Sequence, residues 1–265
     1  MKKLIKINNK KFCFYEDILN DDFMNNHLTR PIVSEKYPFI RQKIYALFSF
    51  IIYYLIALPI LTIVCKIRGI KVINRKELKK TRKVGAFIYS NHTNVFDFFT
   101  IQSYVERHKR VNAIGYSDST SIPIGKHFIH QLGYIPIPNN IHAMKNFMEA
   151  IKYYIDKKQD ILIFPEAHVL PYYTKIRPFS ATSFRYPASL NAPVIPIVTT
   201  YYKSKFKKKP NIKIIIGKTI YPKKELSERE NKLYLRDECY KEMVRISSSY
   251  KQYEYIKYIQ TDPES

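Results

Sequence analysis

The sequence predicts an α/β protein, with a mixed sheet covered by helices and an N-terminal membrane-embedded helix. Between residues 67 and 224, short apolar runs alternate with amphipathic stretches, which is the pattern of strands and helices in an α/β domain. Residues 44–65 form an uncharged apolar run of 22 residues before this region. These observations divide the chain into a basic arm (1–43), a membrane-embedded helix (44–66), an α/β domain (67–224) and a C-terminal amphipathic helix with a mobile tail (225–265).

The apolar run is long enough to cross a bilayer. As a helix it would extend about 33 Å, close to the thickness of the hydrocarbon core. Arg41 and Lys43 precede it and Lys66 and Arg68 follow it, and the basic residues after position 66 place the rest of the chain on the cytoplasmic side. Pro59 leaves two membrane arrangements open, a kinked span or a segment that enters one leaflet and returns. A buried core helix is the third interpretation.

The elements of the domain follow from local periodicity. Uncharged apolar runs predict buried strands, and apolar residues that recur every three or four positions predict helices. The predicted strands are 84–90, 111–115, 134–137, 161–164, 194–198 and 212–216. The predicted helices are 95–107, 122–132, 143–157 and 226–248.

Composition narrows the class of protein. Lys and Arg number 45 against 22 Asp and Glu, and the resulting net charge of +23 predicts an anionic partner such as an acidic membrane or a nucleic acid. Cys13, Cys65 and Cys239 are too far apart in sequence to indicate a disulfide framework or a zinc motif. The phosphate-binding signatures GxxxxGK[ST] and GxGxxG do not occur.

His92 and Asp97 are the first candidate catalytic pair. They lie in the segment SNHTNVFD (90–97), which follows a predicted strand and opens a predicted helix. With His92 in the turn and Asp97 in the first helical turn, the carboxylate can accept a hydrogen bond from one ring nitrogen and leave the other as a base. No G-x-S-x-G motif supplies a nucleophile, so the imidazole would deprotonate a substrate hydroxyl directly. A helix whose first turn simply favours an acidic residue would give the same spacing.

Three further candidates follow the predicted strand 161–164. Glu166 lies in the sequence FPE at the strand end, where ligands of α/β sheets bind, although a surface glutamate fits equally. Arg177 and Lys175 could clamp a phosphate, or could be solvated cations of a basic protein. The run VIPIV (194–198) carries no reactive group and is interpreted as core or as the wall of an apolar pocket.

Together these segments resemble the glycerolipid acyltransferase family of the lysophosphatidate type. That family has the motifs NHxSxxD, GxxxIxR, FPEGTRS and a VPV or IPI block. This chain has, in the same order, NH with Asp97, LGYIPI (132–137), FPE (164–166) and VIPI (194–197). The resemblance covers roughly residues 84–200, and a membrane-embedded N-terminal helix also suits the family.

The resemblance implies a membrane-bound O-acyltransferase of phospholipid biosynthesis. It would move a fatty acyl group from acyl-CoA or acyl-acyl-carrier protein to the free hydroxyl of a lysophospholipid, foremost 1-acyl-sn-glycerol-3-phosphate. His92 is then the general base, Asp97 its orienting partner and Glu166 a contact to the acceptor's glycerol. The expected partners are a membrane lipid and the acyl thioester donor. No cofactor or metal is expected. Because a thioester is already activated, a base with good positioning can suffice without a covalent enzyme intermediate.

Departures from the family concern the acceptor's phosphate. The sequence PNN (138–140) stands where the family has Arg, and FPEGTRS becomes FPEAHVL (164–170), so two phosphate-binding arginines have no direct match. Arg177, Lys175 or Lys145 would substitute for them, or the acceptor is a different lipid. Asn91 is a further substrate-binding candidate, and the backbone N–H groups at the helix start after it are expected to stabilise the oxyanion.

Two other classes of protein account for part of the sequence. A nucleic-acid-binding protein would use the charge and the 23 tyrosines for phosphate and stacking contacts, but it leaves the apolar run unexplained, so no nucleic acid partner is expected. A membrane tether would keep the fold without catalysis, although the intact pair of His92 and Asp97 counts against it. A metal site would need a third ligand placed by the fold, so four histidines are interpreted as surface or core residues: His127, His130, His142 and His168.

Overall fold

The computed structural model describes residues 4–7, 10–19, 32–41, 43–117 and 129–261. In these ranges the strands are β1 (Leu4–Ile7), β2 (Lys10–Tyr15), β3 (Lys71–Ile73), β4 (Phe87–Ser90), β5 (Val111–Gly115), β6 (Tyr134–Pro136), β7 (Asp160–Ile163), β8 (Val194–Tyr202), β9 (Asn211–Ile216) and β10 (Ile256–Gln260).

A seven-stranded sheet forms the centre of the domain. Its strand order is β3-β9-β8-β4-β7-β5-β6. Neighbouring strands are parallel except β8 and β9, which are antiparallel. The predicted mixed sheet is therefore confirmed. Because β4, β7 and β8 are adjacent and parallel, their carboxyl ends open at one edge of the sheet.

The helices flank this sheet. The first, α1, is continuous over three segments, Lys43–Phe50, Ile51–Ala57 and Leu58–Ile67, of which the middle one is π-helical. The others are α2 (Lys76–Lys79), α3 (Asp97–Thr100, extended by the π-helical Ile101–Val105), α4 (Ile141–Asp156), α5 (Arg185–Ser189) and α6 (Glu228–Ser248).

Side chains alternate between the two faces of the sheet, as the pleat requires. In β4, Phe87 and Tyr89 lie in the core cluster that includes Phe147 of α4 and Met243 of α6. Ile88 lies in the opposite cluster with α1 and α3. The fold therefore has three layers, and the predicted cover of helices on the sheet is confirmed.

Pro59 does not interrupt α1. A proline lacks the N–H donor and its ring clashes with the carbonyl four residues before it in an α-helix. The π-helical turn Ile51–Ala57 ends just ahead of Pro59, and its wider backbone accommodates the ring. In the described part of the chain, α1 is the one helix long and apolar enough to cross a membrane.

A buried ion pair joins the amino ends of two strands. Lys109 binds the carboxylate of Asp160, which is fully buried and also accepts a hydrogen bond from the backbone N–H of Ala86. Lys109 donates further to the carbonyls of Thr81 and Val84. The pair thus fixes the segments that lead into β4, β5 and β7.

The N-terminal arm and the C-terminal tail form a second sheet, which the sequence did not predict. β1 pairs antiparallel and β10 parallel with β2. Tyr258 of β10 donates its hydroxyl hydrogen to the carbonyl of Pro171 at 2.8 Å. The expectation of a mobile tail is therefore wrong for residues 251–261. Strand β10 pairs with a strand some 245 positions away in the sequence, which no local pattern reveals.

Two other predicted segments remain. The predicted helix 122–132 lies mostly outside the described residues. The segment after residue 224 belongs to the core, because α6 contributes Leu235, Cys239 and Met243 to the large cluster. A capping box, in which Ser227 and Glu230 each accept the other's backbone N–H, begins α6.

Candidate active site

The turn after β4 brings His92 and Asp97 together. His92 Nδ1 lies 3.3 Å from Asp97 Oδ2, in the arrangement expected from the spacing. The same oxygen accepts the backbone N–H groups of Thr93 at 2.7 Å and Asn94 at 2.8 Å. These bonds hold the carboxylate at the start of α3, so the imidazole receives a fixed acceptor for its Nδ1 hydrogen.

Phe164, which directly follows β7, packs against the imidazole ring of His92. The rings of His92 and Phe164 are stacked with their centroids 4.1 Å apart. The His92 side chain is 17% exposed, and in the described residues its Nε2 has no hydrogen-bond partner. With Nδ1 hydrogen-bonded to a carboxylate, the neutral tautomer has its lone pair on Nε2, which can accept a proton.

The loop after β7 is hydrogen-bonded to the turn that carries His92. Leu170 N–H donates to the carbonyl of His92 at 2.9 Å, and Tyr172 N–H donates to that of Thr93 at 3.0 Å. Glu166 accepts the backbone N–H of His92 at 3.3 Å. The two loops therefore form one unit at the carboxyl edge of the sheet.

Glu166 and Arg177 form a buried ion pair behind this unit. Glu166 accepts hydrogen bonds from the backbone N–H of Arg177 at 3.1 Å and from its Nε and Nη2 at 3.3 and 3.2 Å. The same guanidinium donates to the carbonyls of Ile18 and His168 and is 1% exposed. Burial raises the pKa of Glu166, and Arg177 opposes that rise. Both side chains are occupied within the fold, which points to a bracing role.

Asn91 is also occupied within the fold. Its Nδ2 donates to the carbonyl of Thr199 at 3.0 Å, and its Oδ1 accepts the Thr199 N–H at 2.8 Å. The amide therefore joins the end of β4 to β8, and this differs from the expected substrate contact. Lys175 is exposed and lines a shallow depression with Tyr240 and Gln252, a group that includes none of the other predicted site residues.

The expected oxyanion donors are already engaged. The N–H of His92 binds Glu166, and those of Thr93 and Asn94 bind Asp97. These three N–H groups are therefore occupied by carboxylates, and the assignment of the oxyanion donors stays a prediction for the rest of the helix start.

Sequence reasoning missed a tyrosine beneath the catalytic pair. The hydroxyl groups of Tyr201 and Thr93 are hydrogen-bonded at 2.8 Å. Burial raises the pKa of Tyr201 well above its ordinary value, Asp97 adds to the rise and Arg68 opposes it. Tyr201 lies at the end of β8, and its position could have been found only from the pairing of β8 with β4.

The apolar run 194–198 and two of the other histidines take no part in the candidate site. Val194, Ile195 and Ile197 of β8 are fully buried, so their segment is core. His130 binds the carbonyl of Pro38 through Nε2, and His142 is exposed. His127 lies outside the described residues, within which no three His, Cys, Asp or Glu side chains are grouped as metal ligands.

Comparison with known proteins identifies the family. A family model described as Acyltransferase matches residues 69–200, which include β4, the loop after β7 and β8. The chain belongs to this acyltransferase family. No curated protein sequence matches the acyltransferase.

The fold is similar to that of solved structures. Among them is the crystal structure of the 1-acyl-sn-glycerophosphate (LPA) acyltransferase PlsC from Thermotoga maritima, with a TM-score of 0.50 and 16% sequence identity. The match covers 69% of this acyltransferase and 74% of that chain. At this identity the likeness concerns the fold.

Proposed function

We propose that the protein transfers a fatty acyl group from acyl-CoA or acyl-acyl-carrier protein to the free hydroxyl of 1-acyl-sn-glycerol-3-phosphate at a membrane. The observation that carries the proposal is the hydrogen bond between His92 Nδ1 and Asp97 Oδ2 beside the loop that contains Glu166. This arrangement provides a base for a hydroxyl group, and it lies within the part of the chain that matches the acyltransferase family.

In the proposed reaction His92 acts as general base. Its Nε2 takes the proton of the acceptor hydroxyl while the oxygen attacks the thioester carbonyl. The C–S bond then breaks as the ester forms, and the imidazolium returns its proton to the departing thiolate. Asp97 holds the tautomer and stabilises the imidazolium, as the acid does in a catalytic triad. General-base catalysis of this kind contributes about 10²–10⁴-fold to the rate.

Glu166, Arg177 and Asn91 then act by positioning. Glu166 was expected to contact the glycerol, but both of its oxygens already accept hydrogen bonds from His92 and Arg177. Asn91 holds the strand end in the same way through Thr199. We therefore assign these side chains to the support of His92 rather than to direct substrate contact.

The acceptor's phosphate requires a cation that the fold leaves unpaired. Arg177 is engaged with Glu166 and Lys175 lies elsewhere. Arg68, at the end of α1, has its guanidinium carbon 6.0 Å from the ring centroid of Phe96, in the catalytic turn. It is half-buried and forms no ion pair with a described carboxylate. Arg68 therefore takes the role of the phosphate contact in this proposal.

The arrangement of α1 favours insertion into one leaflet. Ser49 donates to the carbonyl of Gln131 and Thr62 to that of Ser103, and Cys65 is buried against the domain. These contacts extend over about 24 Å of helix. A helix that crossed the bilayer would be surrounded by lipid over this length and could not contact a domain in water. The outer face exposes large apolar side chains to the leaflet: Ile44, Leu47, Phe48, Ile51, Leu55, Ile56, Ile60, Ile63 and Ile67. The basic residues that follow α1 favour the cytoplasmic leaflet.

The donor is proposed on chemical grounds. Acyl-CoA and acyl-acyl-carrier protein are both anionic, and a net charge of +23 attracts either one. Both donors carry the acyl chain as a thioester, so a labelled acyl chain follows the transfer from either donor.

The test is an acyl-transfer assay with detergent-solubilised protein, labelled acyl-CoA or acyl-acyl-carrier protein, and a panel of lysolipids. We expect product from lysophosphatidate, and loss of at least about 100-fold in rate for His92→Ala and Asp97→Asn. His142→Ala, which removes an exposed imidazole, is the matched control and should keep the wild-type rate. Undiminished turnover in His92→Ala would reject the base. Absence of transfer to every lysolipid by the folded wild type would reject the function and favour a tether.

A further inference from the structure

The loop between β8 and β9 carries a fully exposed aromatic side chain among lysines. This hairpin tip comprises residues 203–209, KSKFKKK. Phe206 is 97% exposed. The Ser204 hydroxyl oxygen accepts the N–H groups of Phe206 at 3.3 Å and Lys207 at 3.0 Å, so a local turn holds Phe206 outward. Leaving a phenylalanine in water forgoes the free energy of burying its ring, which indicates an apolar environment in the functional state.

The hairpin tip is fastened to the end of α1. Lys207 Nζ donates to the carbonyls of Ile67 at 3.4 Å and Arg68 at 3.2 Å, where a cation is also favoured by the helix dipole. Ile67 and Ile63 on the outer face of α1 are exposed beside this junction. The tip is therefore continuous with the apolar face that we place in a leaflet.

The charge of the tip is not neutralised within the fold. Its five lysines form no ion pair with a carboxylate in the described ranges, and all are exposed: Lys203, Lys205, Lys207, Lys208 and Lys209. Cations arranged around an apolar ring match the two zones of an anionic membrane surface, with phosphates outside and acyl chains beneath. A nucleic acid would account for the lysines, but not for their junction with an apolar helix face.

We propose that the hairpin tip is a second membrane-contact site, in which Phe206 inserts into an anionic leaflet and the flanking lysines bind lipid phosphates. The proposal rests on the membrane placement of α1 given above, and it adds a preference for acidic lipids. Two anchors, the outer face of α1 and the tip, would fix the orientation of the domain on the leaflet. Arg68 and the turn that carries His92 would then lie at the level of the headgroups.

A single tryptophan tests the insertion. The natural sequence contains no Trp, so Phe206→Trp in the full chain reports only the tip. With phosphatidylcholine vesicles that contain phosphatidylglycerol, we expect a blue shift of its emission and quenching by brominated acyl chains. Leu233→Trp, on the exposed side of α6 across the sheet from α1, is the matched control and should show neither effect. If the emission maximum of Phe206→Trp does not change when these vesicles are added, the proposal is overturned.

A charge variant tests the lipid preference. Lys205→Gln, Lys208→Gln and Lys209→Gln combined keep Lys207 at the end of α1 and should lower vesicle affinity about 100-fold, on phosphatidylglycerol vesicles only. The matched control combines Lys145→Gln, Lys224→Gln and Lys251→Gln, which removes the same charge from exposed sites elsewhere and should change affinity far less. Equal losses in both triple variants would reject a specific site, and lost RNA retention with unchanged vesicle binding would assign the tip to nucleic acid.

Acyl transfer in detergent micelles separates this proposal from the proposed function. The tip variants should retain the wild-type rate there, because no tip residue lies in the catalytic unit. An inactive wild type with inserted Phe206→Trp would reject the function and leave the membrane contact standing. An active wild type whose Phe206→Trp variant does not insert would reject the membrane contact of the tip and leave the proposed function standing.

Discussion

Replacing Glu166 by glutamine should destabilise the protein strongly. The substitution removes the negative charge beside Arg177, whose side chain is 1% exposed and cannot reach water. Leaving one partner of a buried ion pair uncompensated costs about 3–5 kcal/mol. At about 2–4 °C per kcal/mol for a chain of this size, the melting temperature should fall by about 6–20 °C.

The assay is thermal unfolding of the detergent-solubilised protein, followed by circular dichroism. Glu149→Gln, an exposed carboxylate on α4, is the matched control and should change stability by no more than about 0.5 kcal/mol. The double variant Glu166→Gln/Arg177→Met should recover most of the loss, because it removes both charges and leaves an apolar side chain of similar length.

Two results would refute the reasoning. A Glu166→Gln variant that melts like the wild type, yet transfers no acyl group, would show that the carboxylate acts on the substrate and not as a brace. A double variant as unstable as the single one would show that the unpaired charge is not the cause of the loss.

The other stability predictions concern the amino edge of the sheet. Asp160→Asn leaves Lys109 buried without its charge partner, so urea denaturation should show a loss of about 3–5 kcal/mol; a midpoint equal to the wild type would mean that the pair contributes nothing. Gly85→Ala would place its Cβ 2.5 Å from the carbonyl oxygen of Ile155, and such overpacking costs about 1–3 kcal/mol. A fully stable Gly85→Ala variant would show that this contact relaxes freely.

The buried strands were predictable because their apolar runs are dense. The predicted strands 84–90, 161–164 and 194–198 correspond to β4, β7 and β8, with ends that differ by at most four residues. β3 has only three residues, Lys71–Ile73, and begins with an exposed lysine. It therefore lacks the uncharged apolar run that predicts a buried strand. The terminal strands are short, each contains lysine, and they pair only with each other. No local signal therefore distinguishes them from a solvated arm and tail.

The inner face of α1 did leave a signal in the sequence. Ser49, Tyr53, Ala57 and Cys65 are buried and lie at intervals of four or eight residues, which is one stripe of a helix. In a run that is apolar throughout, small and hydroxyl-bearing residues mark the side that packs on protein. Hydropathy alone could not separate this face from the one that we place in lipid.

The candidate site was predictable where its residues are close in sequence. His92 and Asp97 are five positions apart, so the turn and first helical turn determine their contact. The pairing of Glu166 with Arg177 depends on the path of a loop, and the contact of Thr93 with Tyr201 depends on strand order. Neither follows from spacing. The first gives a supporting role to two residues that had been predicted to contact the substrate, and the second involves a tyrosine that had not been predicted at all.

The second sheet connects both ends of the described chain to the loop behind His92. Translation produces β10 after all other described parts of the protein, yet Tyr258 in it holds Pro171, and the carbonyl of Ile18 beside β2 holds Arg177. A ribosome-bound chain that has not yet released residues 256–260 lacks this clamp on the loop behind His92. We therefore expect acyl transfer only once this strand is free to pair, and we expect deletion of residues 256–260 to lower turnover although it removes no residue near the imidazole.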